Sequence, residues 1–278
     1  MPELPEVETI VRAFRTCLEG RRITRFVSRW APQASPSVTA VRRGIVGKRI
    51  ERLHRRAKYI VADLAGDRSP AYLLIHLRMS GRLEWAGDHE SEPPHVRAFF
   101  DLDDGNRLLF CDARKFGRFV YARDFDAATG HLGLEPLERE FTTAALEAAF
   151  RGRSRQIKPL LLDQSVIAGL GNIYADESLY RARLHPTTRC DELGPDQVKT
   201  LRDAIRHVLR TAVRYNGTSI DWIYAGGGMQ KRLKVYGRAG QSCNRCGTPI
   251  ETLRIAQRTA HFCPGCQPRN GSRNGSGI

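Results

Sequence analysis

Four cysteines near the end of the chain carry its clearest chemistry. Cys243-x2-Cys246 and Cys263-x2-Cys266 are separated by 16 residues. Four thiolates at this spacing close a tetrahedron from two short hairpins, which suits a single Zn2+, an ion with no geometric preference of its own. Gly247, Thr248 and Pro249 after the first pair, and Pro264-Gly265 inside the second, supply the tight turns. Sulfur fills all four positions, so the metal is read as structural. His261 is read as an exposed neighbour, and Cys17, Cys111 and Cys190 as ordinary thiols.

The other reactive candidate is the start of the chain. Pro2 is small enough to permit removal of Met1, which leaves a secondary amine. An α-amino group titrates near 7.7–8.0 against about 10.4 for lysine, so roughly a tenth of it is unprotonated at pH 7. Condensed with a sugar aldehyde, a secondary amine gives a cationic iminium, an electron sink for elimination. Glu3 is placed to give and take the protons. Only seven of the 45 Lys+Arg residues are lysines, so rival Schiff-base formers are few. Glu6 has two readings: an assistant in proton transfer, or a first-turn carboxylate facing the helix dipole.

Regular elements must hold these groups. Val7, Ile10, Val11, Phe14 and Leu18 share one face of an amphipathic helix over residues 5–18, with Pro5 in its first turn. From 22 to 123, short β-branched and apolar runs (59–64, 72–77, 97–102, 108–111 and 118–122) alternate with turn formers, and Asp103–Asn106 reads as a hairpin loop. Strand signals stop near 129–136. Helical periodicity follows at 142–150, 156–164, 172–183 and 195–214, the last opening at Pro195. The expected fold class is α+β: an N-terminal β-sandwich domain with one amphipathic helix, then a helical domain and a four-cysteine zinc finger.

Charge and composition narrow the partner. The 278 residues carry +15 at neutral pH, with +4 in residues 1–140 and +11 in 141–278, which points to a polyanion. No apolar stretch approaches the 18 residues or so of a membrane span. The acidic start does not read as a signal peptide. Paired cysteines suit metal binding in a reducing cytosol.

Taken in order, the motifs become specific. Met1–Thr9 (MPELPEVET), Arg56-Ala57-Lys58-Tyr59, His76–Gly81 (HLRMSG), Asp112–Gly117 (DARKFG), Asp163-Gln164, Gly169–Glu177 (GLGNIYADE), Val235–Arg238 and the cysteine pairs follow one another from residue 1 to about 267. The set resembles the formamidopyrimidine-DNA glycosylase family. That resemblance implies a bifunctional glycosylase and abasic-site lyase. Pro2 attacks C1′ of the damaged nucleotide, Glu3 is the general acid/base, and β,δ-elimination cuts the strand. It implies Met79, Arg114 and Phe116 as filler for the hole left by a flipped base. Lys58, His76, Asn172 and Arg258 are implied on phosphates, with Lys58 and Arg258 counted with the catalytic set. Lys158 is implied near the lesion pocket. Gly169–Asn172 opens a helix whose free amides make an anion site, the helix–two-turns–helix element of the family.

The expected domains are 1–130 (catalytic), 131–141 (linker), 142–235 (helical, with a lesion-capping loop), 236–268 (zinc finger) and 269–278 (disordered tail). The capping segment, Thr218–Lys234, is shorter than is typical, and Gly226-Gly227-Gly228 suits it to ordering on binding. Leu134 stands where a proline is common, a change expected to touch only the hinge. The substrates implied are oxidised or ring-opened purines in duplex DNA, met by a monomer in a bacterial cytoplasm, at the nucleoid. The alternatives are an endonuclease VIII-like enzyme for oxidised pyrimidines, a catalytically silent damaged-DNA-binding protein, and a zinc-ribbon RNA-binding protein.

Overall fold

The alternating segments form two packed sheets, and the periodic ones form helices. The computed structural model describes residues 1–65, 70–87, 91–220 and 224–269. The chain divides into two compact units: Met1–His131 with Asn216–Gly227, and Leu132–Tyr215 with Gly228 onward.

The first unit opens with α1 (Leu4–Leu18), β1 (Ile23–Ser28), β2 (Ala34–Ser35), α2 (Val38–Ile45), β3 (Ile50–Arg56), β4 (Tyr59–Leu64) and β5 (Ala71–His76). It continues through β6 (Gly81–Ala86), β7 (Val96–Leu102), β8 (Arg107–Asp112), β9 (Arg118–Ala122) and α3 (Phe125–Thr129). One antiparallel sheet runs β1-β7-β8-β6, and a second runs β2-β9-β5-β4-β3 with only β2 and β9 parallel. Inward residues of both sheets share one core. Phe119 of the second sheet meets Phe26, Phe100 and Phe110 of the first at ring-centroid distances of 5.9, 5.6 and 4.8 Å. Each such buried ring contributes about 1.5–3 kcal/mol.

Helix α1 packs its buried face, Leu4, Val7, Val11 and Leu18, against β3 and β4. The sequence led us to expect one helix in this domain, and the structure adds α2 and the short α3. Val38, Thr39 and Val41 have the β-branched look of a strand, but Ser37 accepts from the Ala40 N–H at 3.1 Å and caps a helix instead.

After Asn216 the chain returns to this unit, where β10 (Thr218–Ile220) pairs with β11 (Tyr224–Gly228). The expected domains placed this stretch with the helices; it clusters with the sheets. Of the expected capping loop, 221–223 lie outside the described residues, as does 270–278 of the expected tail.

The second unit holds α4 (Thr143–Phe150), α5 (Ile157–Leu162), α6 (Asn172–Ala182), α7 (Pro195–Arg214), β12 (Glu251–Ile255) and β13 (Arg258–Phe262). Helix α7 packs on α4 and α6, burying Leu201, Ile205 and Leu209. Pro195 opens it, and the Gln197 side chain accepts from the Gly194 N–H at 3.0 Å. The β12–β13 hairpin closes through Ala256-Gln257, both at positive φ, the primed-turn geometry that matches strand twist. Among the described residues no helix is long and apolar enough to cross a membrane.

Candidate active site and metal centre

Pro2 and Glu3 are buried ahead of the first turn of α1, while Met1 is 38% exposed. The turn is fixed from beneath by Glu6, a fully buried carboxylate. One oxygen accepts from the Glu3 N–H at 2.9 Å. The other accepts from the Thr218 N–H at 2.8 Å and the Thr218 hydroxyl at 3.1 Å. Gly217 makes this approach possible. It sits at φ +71°, and a Cβ there would lie 2.5 Å from the Glu6 carboxylate. Glu6 therefore ties the start of the chain to residues far along it. Glu8 pairs with Arg55 at 3.3 Å, and Arg55 also donates to the Ala57 carbonyl at 3.0 Å. The head of α1 and the turn that carries Lys58 are thus joined through one guanidinium.

Met79, Arg114 and Phe116 lie on two tight turns. Met79 follows β5 in a turn closed by Gly81 N–H to Leu77 C=O at 3.0 Å, with Arg78 left-handed at φ +54°. Arg114 and Phe116 sit between β8 and β9, with Lys115 at φ +59°. Buried Asp112 locks both turns together. It accepts from the Ser80 hydroxyl, from the Arg114 N–H at 3.2 Å and from the Gly117 N–H at 2.7 Å. A Cβ on Gly117 would meet the Phe110 ring at 2.2 Å, so the turn requires glycine. Met79 and Phe116 are 42% and 43% exposed, and the Arg114 guanidinium stands 4.8 Å from the Phe116 ring centroid. Large apolar side chains displayed on stiff turns suit insertion into a base stack.

Lys58 and His76 are both buried, Lys58 in the turn just before β4 and His76 at the end of β5, where it pairs with Tyr59. Burial, reinforced by Arg78 and Lys58, lowers the His76 pKa to about 3. Its Nδ1 accepts from the Arg78 N–H at 3.0 Å, which leaves the proton on Nε2. His76 is therefore a neutral donor, standing edge-on to Tyr59 with centroids 4.8 Å apart.

In the second unit, Asn172 is the first residue of α6, and Arg258 opens β13 with its side chain exposed. Asn172 Nδ2 donates to the Thr259 carbonyl at 3.1 Å, beside Arg258. Lys158 corrects the sequence reading. A residue expected near a lesion has no accessible surface: its Nζ lies 2.6 Å from Asp176, also fully buried, and donates to the Thr259 carbonyl at 2.8 Å. A side chain with 0% exposure cannot touch DNA in this arrangement; it holds the β12–β13 hairpin instead. His261 is corrected too. It is mostly buried, donating its N–H to Asp176 at 2.9 Å with its ring nitrogen 3.2 Å from the same carboxylate. Next in α6, Glu177 accepts from the N–H groups of Lys234, Val235 and Tyr236 at 2.9–3.0 Å. Burial raises its carboxyl above the ordinary range, and these three donors work against that rise.

The Sγ atoms of Cys243, Cys246, Cys263 and Cys266 all lie within 4.8 Å of one another. Three pairs stand at 3.8, 3.4 and 3.5 Å. A tetrahedron with Zn–S near 2.3 Å has an edge of about 3.8 Å, so the donor set fits one Zn2+. Backbone N–H groups of Arg245 and Cys266 point at sulfur at 3.4 Å, and the Tyr180 hydroxyl lies 3.3 Å from Cys243. Such contacts stabilise thiolate charge and orient the ligands.

The sequence reading missed the groups that aim these side chains: Asp112, Ser80, Asp176 and Glu177. All four stood inside the quoted motifs, but nothing local reveals which partner each one serves.

Three family models match the chain: the formamidopyrimidine-DNA glycosylase N-terminal domain over 1–119, its H2TH domain over 132–223, and a zinc finger found in FPG and IleRS over 240–269. The chain is 44% identical over 274 residues to the formamidopyrimidine-DNA glycosylase of Chloroflexus aurantiacus, covering 96% of this chain and 98% of that one. It is similar to the Lactococcus lactis FPG crystallised with Fapy-dG DNA, at TM-score 0.89 and 32% identity over 96% of this chain and all of that one. The same enzyme with abasic-site DNA matches at TM-score 0.88, again at 32% identity with the same coverage of each chain.

Proposed function

The chain belongs to the formamidopyrimidine-DNA glycosylase family, and we propose from that premise that Pro2, freed of Met1, is its nucleophile. The protein is a DNA glycosylase for oxidised purines, and the family adds cleavage of the abasic strand. One structural zinc belongs to its finger.

In the proposed reaction the Pro2 nitrogen bonds to C1′ as the glycosidic bond breaks, and the departing base takes a proton. Opening of the sugar ring leaves an iminium on Pro2. Loss of the C2′ proton expels the 3′ phosphate, and a second elimination expels the 5′ phosphate. Glu3 carries the protons. Glu6, through its bonds to Glu3 and Thr218, serves as a positioning residue. Met79, Arg114 and Phe116 fill the vacated stack, with Arg114 facing the orphaned base. Lys58, His76, Asn172 and Arg258 take phosphates, His76 as a neutral donor. Lys158 acts through the hairpin that carries Arg258. We further propose that the protein works as a monomer in the cytoplasm, at the nucleoid.

The observation that carries this reading is the pair of exposed apolar side chains, Met79 and Phe116, on turns locked by Asp112. The test is borohydride trapping on duplexes with defined lesions. Wild type should form a covalent complex with oxidised-purine DNA, and Pro2→Gly should not. A complex that survives both Pro2→Gly and retention of Met1 rules Pro2 out as nucleophile.

A further inference from the structure

Within the second unit, a cavity of about 540 Å3 opens between α6, α7, the 229–234 segment and the first cysteine pair. Five cations line it: Arg181, Lys231, Arg232, Lys234 and Arg245. His207 joins them, its imidazole held below its ordinary value first by burial and then by Arg181. The one carboxylate in the lining, Glu177, is engaged by three backbone N–H groups. None of the five cations has an ion-pair partner among the described residues.

Two of the guanidiniums are held in place. Arg232 lies over the Tyr215 ring at 3.7 Å, and Arg245 over Tyr180 at 4.6 Å. Arg245 also has its backbone fixed by the N–H bond to Cys243 Sγ. Stacking fixes a planar fork that matches phosphate oxygens, without neutralising it. A concave site lined by one sign of charge concentrates counter-ions, and its volume falls within the roughly 300–1,000 Å3 of small-ligand sites. It is separate from Asn172, which sits at the other end of α6. Nine residues at 1.5 Å each put Arg181 about 13 Å along the helix from it.

We propose that this cavity is a second phosphate site, taking either the backbone of a nucleic acid strand or a free anion of pyrophosphate to nucleotide size. It rests on no step of base excision, so failure of the trapping experiment leaves it standing.

The test is calorimetric titration of the zinc-loaded protein with inorganic pyrophosphate at low salt. Wild type and Arg258→Ala should show one saturable site of equal affinity. Arg181→Gln/Arg232→Gln, which keeps its zinc, should bind at least tenfold more weakly. Binding to undamaged duplex then separates the two sources. If the site takes DNA phosphates, the double variant lowers the slope of log K against log salt by about two. If it takes a free anion, that slope stays while pyrophosphate affinity falls. Pyrophosphate binding unaltered in the double variant, with an unaltered salt slope, overturns the proposal. So does a site lost in Arg258→Ala and kept in the double variant. Lys231→Gln/Lys234→Gln, on the opposite wall, should weaken pyrophosphate in the same direction and guards against a local fault at Arg232.

Discussion

Replacing Lys158 by methionine separates the two roles this residue could have. The Lys158–Asp176 pair is fully buried, with 2.6 Å between the charged atoms. Methionine keeps most of the side-chain volume and removes the charge, so Asp176 is left as an uncompensated buried anion. Breaking such a pair costs about 3–5 kcal/mol, a large share of the roughly 5–15 kcal/mol that holds a domain together. At about 2–4 °C per kcal/mol, the melting temperature should fall by roughly 6–20 °C. Thr259 keeps Asn172 as a donor, so its carbonyl adds little. Adding Asp176→Leu should restore part of the loss. The remainder reflects the His261 N–H, which then lacks its acceptor and costs about 1–3 kcal/mol. Urea unfolding followed by far-UV circular dichroism, with zinc in excess, measures all three proteins. A direct role at the lesion makes the opposite prediction. Stability would stay within about 1 kcal/mol of wild type, the small effect expected where no buried pair is broken, and base excision would fail while incision of pre-formed abasic sites continued. That result would refute the buried-pair argument.

Three further outcomes are expected. Asp112→Ala strands donors from Ser80, Arg114 and Gly117, at about 1–3 kcal/mol each where they stay dry; affinity for abasic-analogue duplex, read by fluorescence anisotropy, should fall at least tenfold with Pro2 chemistry unchanged per bound complex. The His76 pKa is lowered from 6.5 to about 3, so the unfolded chain binds the extra proton between those values. Its contribution to stability is full above pH 6.5 and is lost as pH falls toward 3; His76→Gln should flatten the pH dependence there by at most about 1.4 kcal/mol per pH unit, in urea melts from about pH 4 to 7. Chelation of zinc should release one metal per chain and unfold the 240–269 segment, abolishing duplex binding while the sheet core of the first unit still melts cooperatively.

What the sequence displayed openly was periodic or local. Helix α7 runs from Pro195 to Arg214, as its apolar spacing and opening proline require. The cysteine spacing gave the ligand set because two short turns suffice to bring the sulfurs together. What stayed hidden was tertiary. Ser37 caps α2 in a stretch whose β-branched residues imitate a strand. The resemblance implies Lys158 near the lesion pocket, and its buried partner, Asp176, sits on another helix, beyond the reach of any local signal. Of the two readings left open for Glu6, the first-turn carboxylate holds, since it accepts from the Glu3 N–H, and the bond to Thr218, 212 residues along the chain, adds a role no local signal shows.

That last bond has a consequence for how the protein is made. A ribosome completes residues 1–131 long before Gly217 and Thr218 emerge, and the intervening helical stretch comes first. Until then the Glu6 carboxylate lacks two of its donors and the segment that packs against it. The first unit is therefore complete only when a later part of the chain returns to it. A fragment cut at the apparent domain border would keep Pro2 and Glu3 in sequence but lose the clasp that sets their geometry. Any minimal catalytic piece must carry 216–227 with it, spliced or supplied in trans.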